Sequence, residues 1–393
     1  MGILGPAGLG RRVGLRYLAP QTPLPIGAEE VRKVRRNNLR IAAIPGDGIG
    51  VEVIDAGCRV LHALADSIPD LDLVIERLDW GSERYLATGS MMPGDGLETL
   101  RGFDAILFGS AGDPRVPDHV TLWGLRLAIC QGLDQYANVR PSRLLPGIKS
   151  PLADVSSRDL DWVIVRENSE GEYSGAGGQV HRGFPHAVGL DVTVMTRAGV
   201  ERIMRFAFEL ALGRPRRKLT MVTKSNAQRH AMVMWDDIFE VVRADYIGVE
   251  ADRMLVDAMT TRMVLRPASI DVVVATNLHA DILSDLAAAL SGSLGIAPTG
   301  NLNPDPDVPS MFEPIHGSAF DIVGKGMANP IGTFWSIVMM LEHLGHKQAS
   351  RRLMAAIERT TAGKVLTPDL GGAAGTGEVT KALLAALDYQ RPA

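Results

Sequence analysis

The stretch LRIAAIPGDGIG (residues 39–50) joins a short apolar run to a glycine-rich turn, and an amphipathic pattern follows over about residues 50–67. This order predicts a β-strand, a tight turn and a helix. Five more β-rich runs follow, each about as long as a strand that is buried on both faces. They are LDLVIER (71–77), DAILFG (104–109), DWVIVRE (161–167), KLTMVT (218–223) and DVVVATN (271–277). Helical patterns such as VTLWGLRLAICQGL (120–133) separate them, and this alternation predicts an α/β fold with a largely parallel sheet.

Composition restricts the class of protein. The 393 residues are 46% hydrophobic and 22% charged, which excludes a disordered or fibrous polymer. The net charge of −4 disfavours nucleic acid as a partner. No apolar run reaches the roughly 18–20 residues that cross a bilayer, so we expect no membrane partner. Two cysteines, Cys58 and Cys130, cannot form a disulfide framework, which predicts a protein of the reducing cytoplasm.

Two segments stand outside the alternation. Residues 1–38 carry seven Arg and Lys against two Glu, and we expect a basic, disordered extension or an over-long start. The pair Arg11-Arg12 also occurs in twin-arginine export signals, but the three prolines that follow make a poor signal core. A transit peptide stays open, although the segment is poor in serine. The glycine-rich stretch 171–194 predicts an antiparallel arm that projects from the body for contact between subunits.

The glycine turn has two interpretations. Gly46, Gly48 and Gly50 are spaced G-x-G-x-G, whereas dinucleotide-binding Rossmann folds have G-x-G-x-x-G. Glu76, near the end of the next strand, stands where such a fold would place its ribose-binding acid. We favour the simpler interpretation, a strand-to-helix turn that needs the conformational freedom of glycine.

A pair of carboxylates suggests a metal site. Asp281 and Asp285 in NLHADILSDLAA (277–288) are four residues apart and therefore lie on one face of a helix. Like charges at this spacing cost an isolated helix a few tenths of a kcal/mol. A hard divalent cation such as Mg²⁺ or Mn²⁺ would turn that repulsion into attraction, and Asp257 offers a third carboxylate. A solvated helix face is the alternative.

Cationic side chains follow several of the strands. Arg140 in NVRPSR and Arg166 in VIVREN present guanidinium groups that grip carboxylates in pairs, although an ordinary surface salt bridge explains any single arginine. Lys224, which leaves a buried strand in MVTKSN, stands where it can act as a base. Tyr173 lies close behind Arg166 in the chain. These residues alone predict an α/β enzyme that binds an anion and a metal.

In combination the motifs resemble a known family. IPGDGIG, NVRP, TKSN, VDAM, NLHADILSDL and FEPIHGSAFDIVGKGMANP occur in this order between Leu39 and about Leu384. They are similar to the motifs of the metal-dependent β-decarboxylating dehydrogenases, which act on isocitrate, isopropylmalate, D-malate or tartrate. The resemblance covers nearly the whole chain after the basic extension.

The fold that this resemblance implies is a two-domain α/β architecture of the isocitrate/isopropylmalate dehydrogenase type, which is not a Rossmann fold. Residues 39–135 and 293–393 would form domain 1, which binds NAD. Residues 136–292 would form domain 2, which carries the substrate and metal site and the dimer interface. The arm, about residues 172–195, would protrude and interlock a homodimer whose active sites lie between the subunits.

The resemblance also implies how the substrate and the metal are held. Asp281 and Asp285 match the family's ligands for Mn²⁺ or Mg²⁺, and Asp257 matches the ligand that the second subunit contributes. Arg140 and Arg166 match the arginines that hold the carboxylates of a small dicarboxylate substrate.

The implied catalytic residues are Tyr173, Lys224 and Asp257. Lys224 matches the group that accepts the proton of the C2 hydroxyl, and Tyr173 matches the donor that protonates the enol left by decarboxylation. Asp321 stands where NAD-preferring members hold both ribose hydroxyls, and its charge would repel the 2′-phosphate of NADP. The residues matched to nucleotide contacts are Gly109, Ser110, Asp113, Asn277, His316, Gly317, Ser318, Ala319, Asp321, Ile322 and Asn329.

One departure from the family bears on the substrate. The arginine that the family carries ten residues before Arg140 is Cys130 here, while Arg126 lies one helical turn earlier on the same face. Arg126 would place an unpaired positive charge next to the alkyl group of isopropylmalate, whereas it would suit a substrate with a polar end. We therefore expect NAD- and metal-dependent oxidation and decarboxylation of tartrate or D-malate. The alternative functions are 3-isopropylmalate dehydrogenase of leucine biosynthesis and a catalytically silent regulatory subunit. The alternative interpretation of the two residues is that Arg126 points to solvent and that Cys130 only fills helix packing.

Overall fold

The computed structural model describes residues 38–69 and 71–388, so the prediction for the basic extension lies outside the described residues except for Asn38. The strands are β1 (Asn38–Gly46), β2 (Asp72–Arg77), β3 (Ala105–Ser110), β4 (Ala137–Arg143), β5 (Asp161–Glu167), β6 (Gly177–Val180), β7 (Val188–Asp191), β8 (Lys218–Thr223), β9 (Glu250–Leu255), β10 (Val272–Ala275), β11 (Pro298–Leu302) and β12 (Ser310–Pro314). The helices are α1 (Gly50–Ala65), α2 (Ser82–Thr88), α3 (Gly96–Arg101), α4 (Asp118–Thr121), α5 (Leu127–Gly132), α6 (Arg197–Leu212), α7 (Ala231–Arg243), α8 (Val256–Leu265), α9 (Asn277–Leu290), α10 (Ile331–His343), α11 (Lys347–Ala362) and α12 (Thr376–Asp388).

A ten-stranded sheet runs through the molecule in the order β2-β1-β3-β12-β11-β4-β5-β10-β8-β9. Its two outer parts are parallel, whereas β11 runs antiparallel to β12 and β4, and β4 runs antiparallel to β5. The predicted largely parallel sheet is therefore confirmed. The predicted boundary between the two domains falls between residues 135 and 136, but strands from both sides of it belong to the same sheet. All described residues also fall in one compact unit. The division into domain 1 and domain 2 stays a prediction.

The expected burial of the strands holds for the inner ones and is wrong for β2. All six residues of β3 and all four of β10 are buried. No residue of β2 is fully buried, and Val74 is 45% exposed. The reason is position, since β2 lies at the edge of the sheet and, among the described strands, pairs with β1 alone.

The helix predicted over residues 120–133 is observed as one continuous helical run that is not α-helical throughout. A π-helical turn (Leu122–Arg126) stands between α4 and α5, and the Leu127 amide donates to the Leu122 carbonyl. Single π turns inside helices frequently mark functional sites. This turn ends at Arg126, which the sequence had connected with the substrate.

The glycine turn after β1 packs against two other loops. Gly46 and Gly48 have φ angles of +66° and +57°, and a Cβ atom on Gly48 would stand 2.0 Å from the Ser318 carbonyl oxygen. The Asp47 carboxylate between them accepts hydrogen bonds from the Ser82 amide (2.7 Å) and the Gly112 amide (2.8 Å). The prediction of a turn that needs glycine is thus confirmed.

We expect Gly48→Ala to lower the free energy of unfolding by about 3–5 kcal/mol. A left-handed backbone costs an alanine about 1–2 kcal/mol, and the clash with the Ser318 carbonyl adds to that cost. Gly89→Ala is the matched control, because Gly89 has a φ of +80° and no atom of the described residues lies within 4 Å of an added Cβ, so that the backbone cost remains without a clash. Chemical denaturation measures both, and equal losses would contradict tight packing at Gly48.

The stretch 171–194 forms the predicted antiparallel arm. Within the part of the chain that the structure describes, strands β6 and β7 pair only with each other, and a bridge between Gly171 and Val194 closes the base of the arm. Every residue of both strands is exposed, and Phe184 between them is 62% exposed. Across the described part of the chain, no helix is both long enough and apolar enough for a membrane span.

Candidate active site

A cavity of about 240 Å³ opens where the carboxyl ends of β3, β5 and β12 meet α9 and the π turn. Such a volume suits a small metabolite, since pockets for drug-sized ligands measure roughly 300–1,000 Å³. The residues predicted from the sequence that the cavity brings together are Gly109, Ser110, Arg126, Arg140, Arg166, Tyr173, Asp281, Asp285, His316 and Gly317. The predicted residues outside its lining are Asp113, Lys224, Asp257, Asn277, Ser318, Ala319, Asp321, Ile322 and Asn329.

The two arginines predicted to hold carboxylates are core residues of the site. Arg140 and Arg166 are 5% and 1% exposed, so the surface salt bridge that was the alternative is wrong for both. Arg140 donates from Nε to Asn138 Oδ1 (2.8 Å) and from Nη1 to Ser284 Oγ (2.6 Å). Burial lowers the pKa of Arg140 to about 10. A buried cation of this kind gains from an anionic partner.

Asp281 is that partner. It accepts a hydrogen bond from Arg166 Nη1, and its Oδ1 lies 3.3 Å from Arg140 Nη2. Burial alone would raise the pKa of Asp281, but the positive charges of the cavity arginines outweigh it and hold that pKa below its usual range. Arg166 also donates from Nη2 to Asn277 Oδ1 (2.5 Å), while its buried Nε has no partner among the described residues.

Asp285 lies one turn along α9 and also faces the cavity. Within the described residues it makes no hydrogen bond or ion pair. Burial raises the pKa of Asp285, and although Arg140 opposes this, the neighbouring charge of Asp281 adds to it. Both side chains line the cavity beside the arginines, Asp281 being 38% exposed and Asp285 exposed, so the solvated helix face stays open as the alternative for Asp285. Their hard oxygen donors fit a divalent cation, which would relieve their mutual repulsion.

Tyr173 closes the cavity from the base of the arm. Its ring centroid lies 5.0 Å from the Arg166 guanidinium carbon, within cation–π range. Its backbone carbonyl accepts a hydrogen bond from Gln131 Nε2 at 3.1 Å. The start of the arm is thus tied both to α5 and to the buried arginine.

Arg126 reaches the same cavity but is paired with a carboxylate that the sequence analysis missed. Its Nε lies 2.8 Å from Glu313 Oε1, and its Nη2 lies 2.7 Å from the same oxygen. Burial alone would lower the pKa of Arg126, but the Glu313 carboxylate raises it above its ordinary value. The interpretation that Arg126 points to solvent is wrong, because its side chain is 14% exposed.

Cys130 is a packing residue, as its alternative interpretation had it. It is 1% exposed among Leu125, Ile129 and Leu133, and burial raises the pKa of its thiol to about 11. Glu313 belongs to the motif FEPIHG, but its partner Arg126 lies 187 residues away in the chain. A prediction of this ion pair would have required knowing that the two segments lie side by side in the fold.

Lys224 and Asp257 lie apart from this cavity and contact each other. Lys224 Nζ donates to Asp257 Oδ1 at 2.6 Å, and this hydrogen bond lowers the pKa of Asp257. Among the residues that the structure describes, no group of three His, Cys, Asp or Glu side chains could hold a metal ion. Within one chain, therefore, Asp257 does not join Asp281 and Asp285.

The loop after β12 carries most of the residues matched to the nucleotide. His316 Nδ1 lies 3.0 Å from the Gly317 carbonyl oxygen, and its buried Nε2 has no partner among the described residues. Burial lowers the pKa of His316 below its ordinary value. The Ser318 carbonyl accepts a hydrogen bond from the Ile49 amide at 2.9 Å, and this bond holds the loop against the glycine turn. Asp321 is exposed on the same loop.

Three further residues matched to the nucleotide already have protein partners. Asn329 Oδ1 accepts from the Ile331 amide (3.0 Å) at the start of α10. Asp113 accepts hydrogen bonds from Arg115, and this lowers the pKa of Asp113. Asn277 holds Arg166. Contacts of these three residues with a cofactor stay predictions.

Comparison with known proteins decides the family. The family model of isocitrate/isopropylmalate dehydrogenase matches residues 40–383. The chain belongs to this family. A probable tartrate dehydrogenase/decarboxylase of Agrobacterium vitis is 63% identical over 348 residues, 88% of this chain and 97% of that protein. The D-malate dehydrogenase [decarboxylating] of Escherichia coli is 49% identical over 352 residues, again 88% and 97% of the two chains.

The family assignment extends to three dimensions. The crystal structure of isocitrate dehydrogenase from Methylococcus capsulatus matches with a TM-score of 0.81 at 33% identity, over 89% of this chain and 99% of that one. The predicted isocitrate/isopropylmalate dehydrogenase-like fold is therefore confirmed. Glu76, the acid that a Rossmann site would have used, instead pairs with Arg40 at 3.4 Å on the exposed edge strand.

Proposed function

We propose that this protein oxidises and decarboxylates a small 2-hydroxy dicarboxylic acid of the tartrate or D-malate type, with NAD as acceptor and Mg²⁺ or Mn²⁺ as metal. The observation that carries the proposal is the small cavity in which two buried arginines, two aspartates and a tyrosine converge. The names of the relatives from Agrobacterium vitis and Escherichia coli support the same class of substrate.

In this proposal Arg140 and Arg166 bind the carboxylates of the substrate. Asn138 and Ser284 hold the first guanidinium and Asn277 the second, so little side-chain freedom remains to be lost when an anion binds. Arginine suits this task because its planar fork donates two parallel hydrogen bonds to one carboxylate.

Proton movements fall to two other side chains. Lys224 takes the proton of the C2 hydroxyl, and Tyr173 returns a proton to the carbon that has lost CO₂. Asp281 and Asp285 of this chain and Asp257 of the second subunit would hold the cation. When bound, the cation would supply Lewis-acid polarisation of the C2 oxygen, and NAD would supply the hydride acceptor.

The proposed assembly is a homodimer that shares its active sites. Lys224 and Asp257 lie outside the cavity of their own chain, so a second copy would supply them. The arm offers apolar side chains that such a partner would cover, because Val180, Phe184, Val188 and Leu190 are each more than half exposed. The proposed location is the cytoplasm, where the unpaired thiols of Cys58 and Cys130 would remain reduced.

Reduction of NAD is the direct test. The purified protein is assayed with D-malate, L-tartrate, meso-tartrate, 3-isopropylmalate and isocitrate, each with Mg²⁺ and with Mn²⁺. We expect metal-dependent activity on tartrate or D-malate, with release of CO₂. Preference for 3-isopropylmalate would move the protein to that branch of the family, and inactivity on every acid with both metals would indicate the regulatory subunit.

The choice of NAD is predicted to depend on Asp321. Asp321→Asn should lower the preference for NAD over NADP in kcat/KM by about one to two orders of magnitude, since a charge that repels the 2′-phosphate is lost. Glu76→Gln is the matched control, because that acid lies on the edge strand and should leave the preference unchanged. Equal use of NADP by the wild type would contradict this role of Asp321.

A further inference from the structure

The pair formed by Arg126 and Glu313 offers both a hydrogen-bond donor and an acceptor to the cavity. Glu313 Oε1 is the more heavily used oxygen, because it accepts hydrogen bonds from Arg126 Nε and Asn301 Nδ2 at 2.8 Å each and also lies 2.7 Å from Arg126 Nη2. Among the described residues, Glu313 Oε2 accepts a hydrogen bond only from Arg126 Nε, at a longer 3.1 Å. Among the described residues, the hydrogen bonds of Arg126 use Nε, and neither Nη1 nor Nη2 donates one. A free N–H group and an under-used carboxylate oxygen are therefore left on the pair.

The charge balance of the pair restricts what can bind beside it. The two side chains are 14% and 5% exposed, and their charges cancel. A second carboxylate would meet the negative Glu313, and an alkyl group would leave both the donor and the acceptor without a partner. A hydroxyl group donates one hydrogen bond and accepts others, so it satisfies both atoms of the pair.

The position of the pair in the cavity indicates which hydroxyl this is. Arg140 and Arg166 are the groups that bind the carboxylates in the proposed function, and Asp281 of α9 lies beside both arginines. Arg126 enters the same small cavity from the π turn, on a different element. With the carboxylates and the C2 oxygen bound at the arginines and aspartates, the remaining polar group of a four-carbon diacid is the substituent on C3.

We propose that Arg126 and Glu313 together recognise a neutral hydroxyl group at C3 of the substrate. The enzyme would then select diacids that are hydroxylated at both C2 and C3 over diacids that are hydroxylated at C2 alone. The inference rests on the proposed function and names the substrate class within it. A site built to bond a hydroxyl discriminates strongly against the analogue that lacks it, because its own polar groups are then left unpaired.

The experiment compares one ratio between proteins: kcat/KM for the best of L-, D- and meso-tartrate, divided by kcat/KM for D-malate. The wild type should give a ratio of about ten or more. The double variant Arg126→Met/Glu313→Gln removes the charges together, so that none is stranded, and should lower the ratio at least about tenfold, mainly through tartrate. Arg202→Leu is the control, since it breaks a bidentate pair with Asp134 outside the cavity and should leave the ratio unchanged.

If the pair has only a structural role, the double variant loses activity on tartrate and on D-malate equally, and the ratio stays unchanged. That result overturns the inference. If the double variant does not fold, the nearly isosteric Glu313→Gln replaces it, with an expected fall of at least about threefold. If a folded variant turns over neither acid, dissociation constants for tartrate and D-malate, measured by calorimetry with Mn²⁺ and without NAD, give the same comparison. Wild-type activity on both acids at a ratio near one overturns only this inference, whereas activity on neither overturns the proposed function as well.

Discussion

Asp285→Asn is expected to lower kcat about 10²–10³-fold and to abolish activation by metal, because a neutral amide is a poor ligand for a hard cation and the lost interaction is worth a few kcal/mol. The same change should make the metal-free protein more stable by a few tenths of a kcal/mol. A carboxyl whose pKa is raised by folding destabilises the folded state at pH 7, and Asp285 is such a group. Metal titration of turnover and chemical denaturation in EDTA measure the two effects.

Asp281→Asn should have the opposite effect on stability while also removing metal activation. Asp281 compensates two buried guanidinium groups, and its pKa is held low by them, so its contribution is present at pH 7 and is lost as the pH falls through that lowered value. We expect a loss of about 1–3 kcal/mol, less than the 3–5 kcal/mol for a fully buried pair because Asp281 is 38% exposed. Unchanged metal activation in both variants would refute the assigned metal site.

Lys224→Met is expected to lower kcat by about 10²–10⁴-fold, the usual contribution of a positioned acid or base. The KM for NAD should change little, because no predicted nucleotide contact is removed. Methionine keeps much of the length of the side chain and removes only the charge and the ability to take a proton. Steady-state kinetics with tartrate and with D-malate under saturating metal give both constants.

The control for this variant lies at the other end of the same strand. Lys218 begins β8 and pairs with Glu250 at 2.9 Å, as Lys224 follows β8 and pairs with Asp257. Lys218→Met therefore removes a comparable half-exposed ion pair and should leave kcat unchanged. If both variants lose activity equally, the effect belongs to the strand and not to the chemistry of Lys224.

The local elements were predictable because their signals lie within a few residues of one another. The alternation of apolar runs and amphipathic patterns placed β1, β3, β5, β8 and β10 within a few residues of their observed limits. The four-residue spacing of Asp281 and Asp285 placed both on one helix face. The glycines at 46 and 48 indicated a turn with positive φ, which the structure confirms.

Which residues face each other across the cavity was decided by the tertiary structure alone. Arg126 and Glu313 are 187 residues apart, and Arg166 and Asp281 are 115 apart. The exposure of β2 likewise depends on its place at the edge of the sheet. The order of strands brings distant segments side by side, and no short window of sequence carries that order. The residue types therefore predicted a site for an anion and a cation, but the sheet decided that Arg126 meets a buried carboxylate instead of solvent.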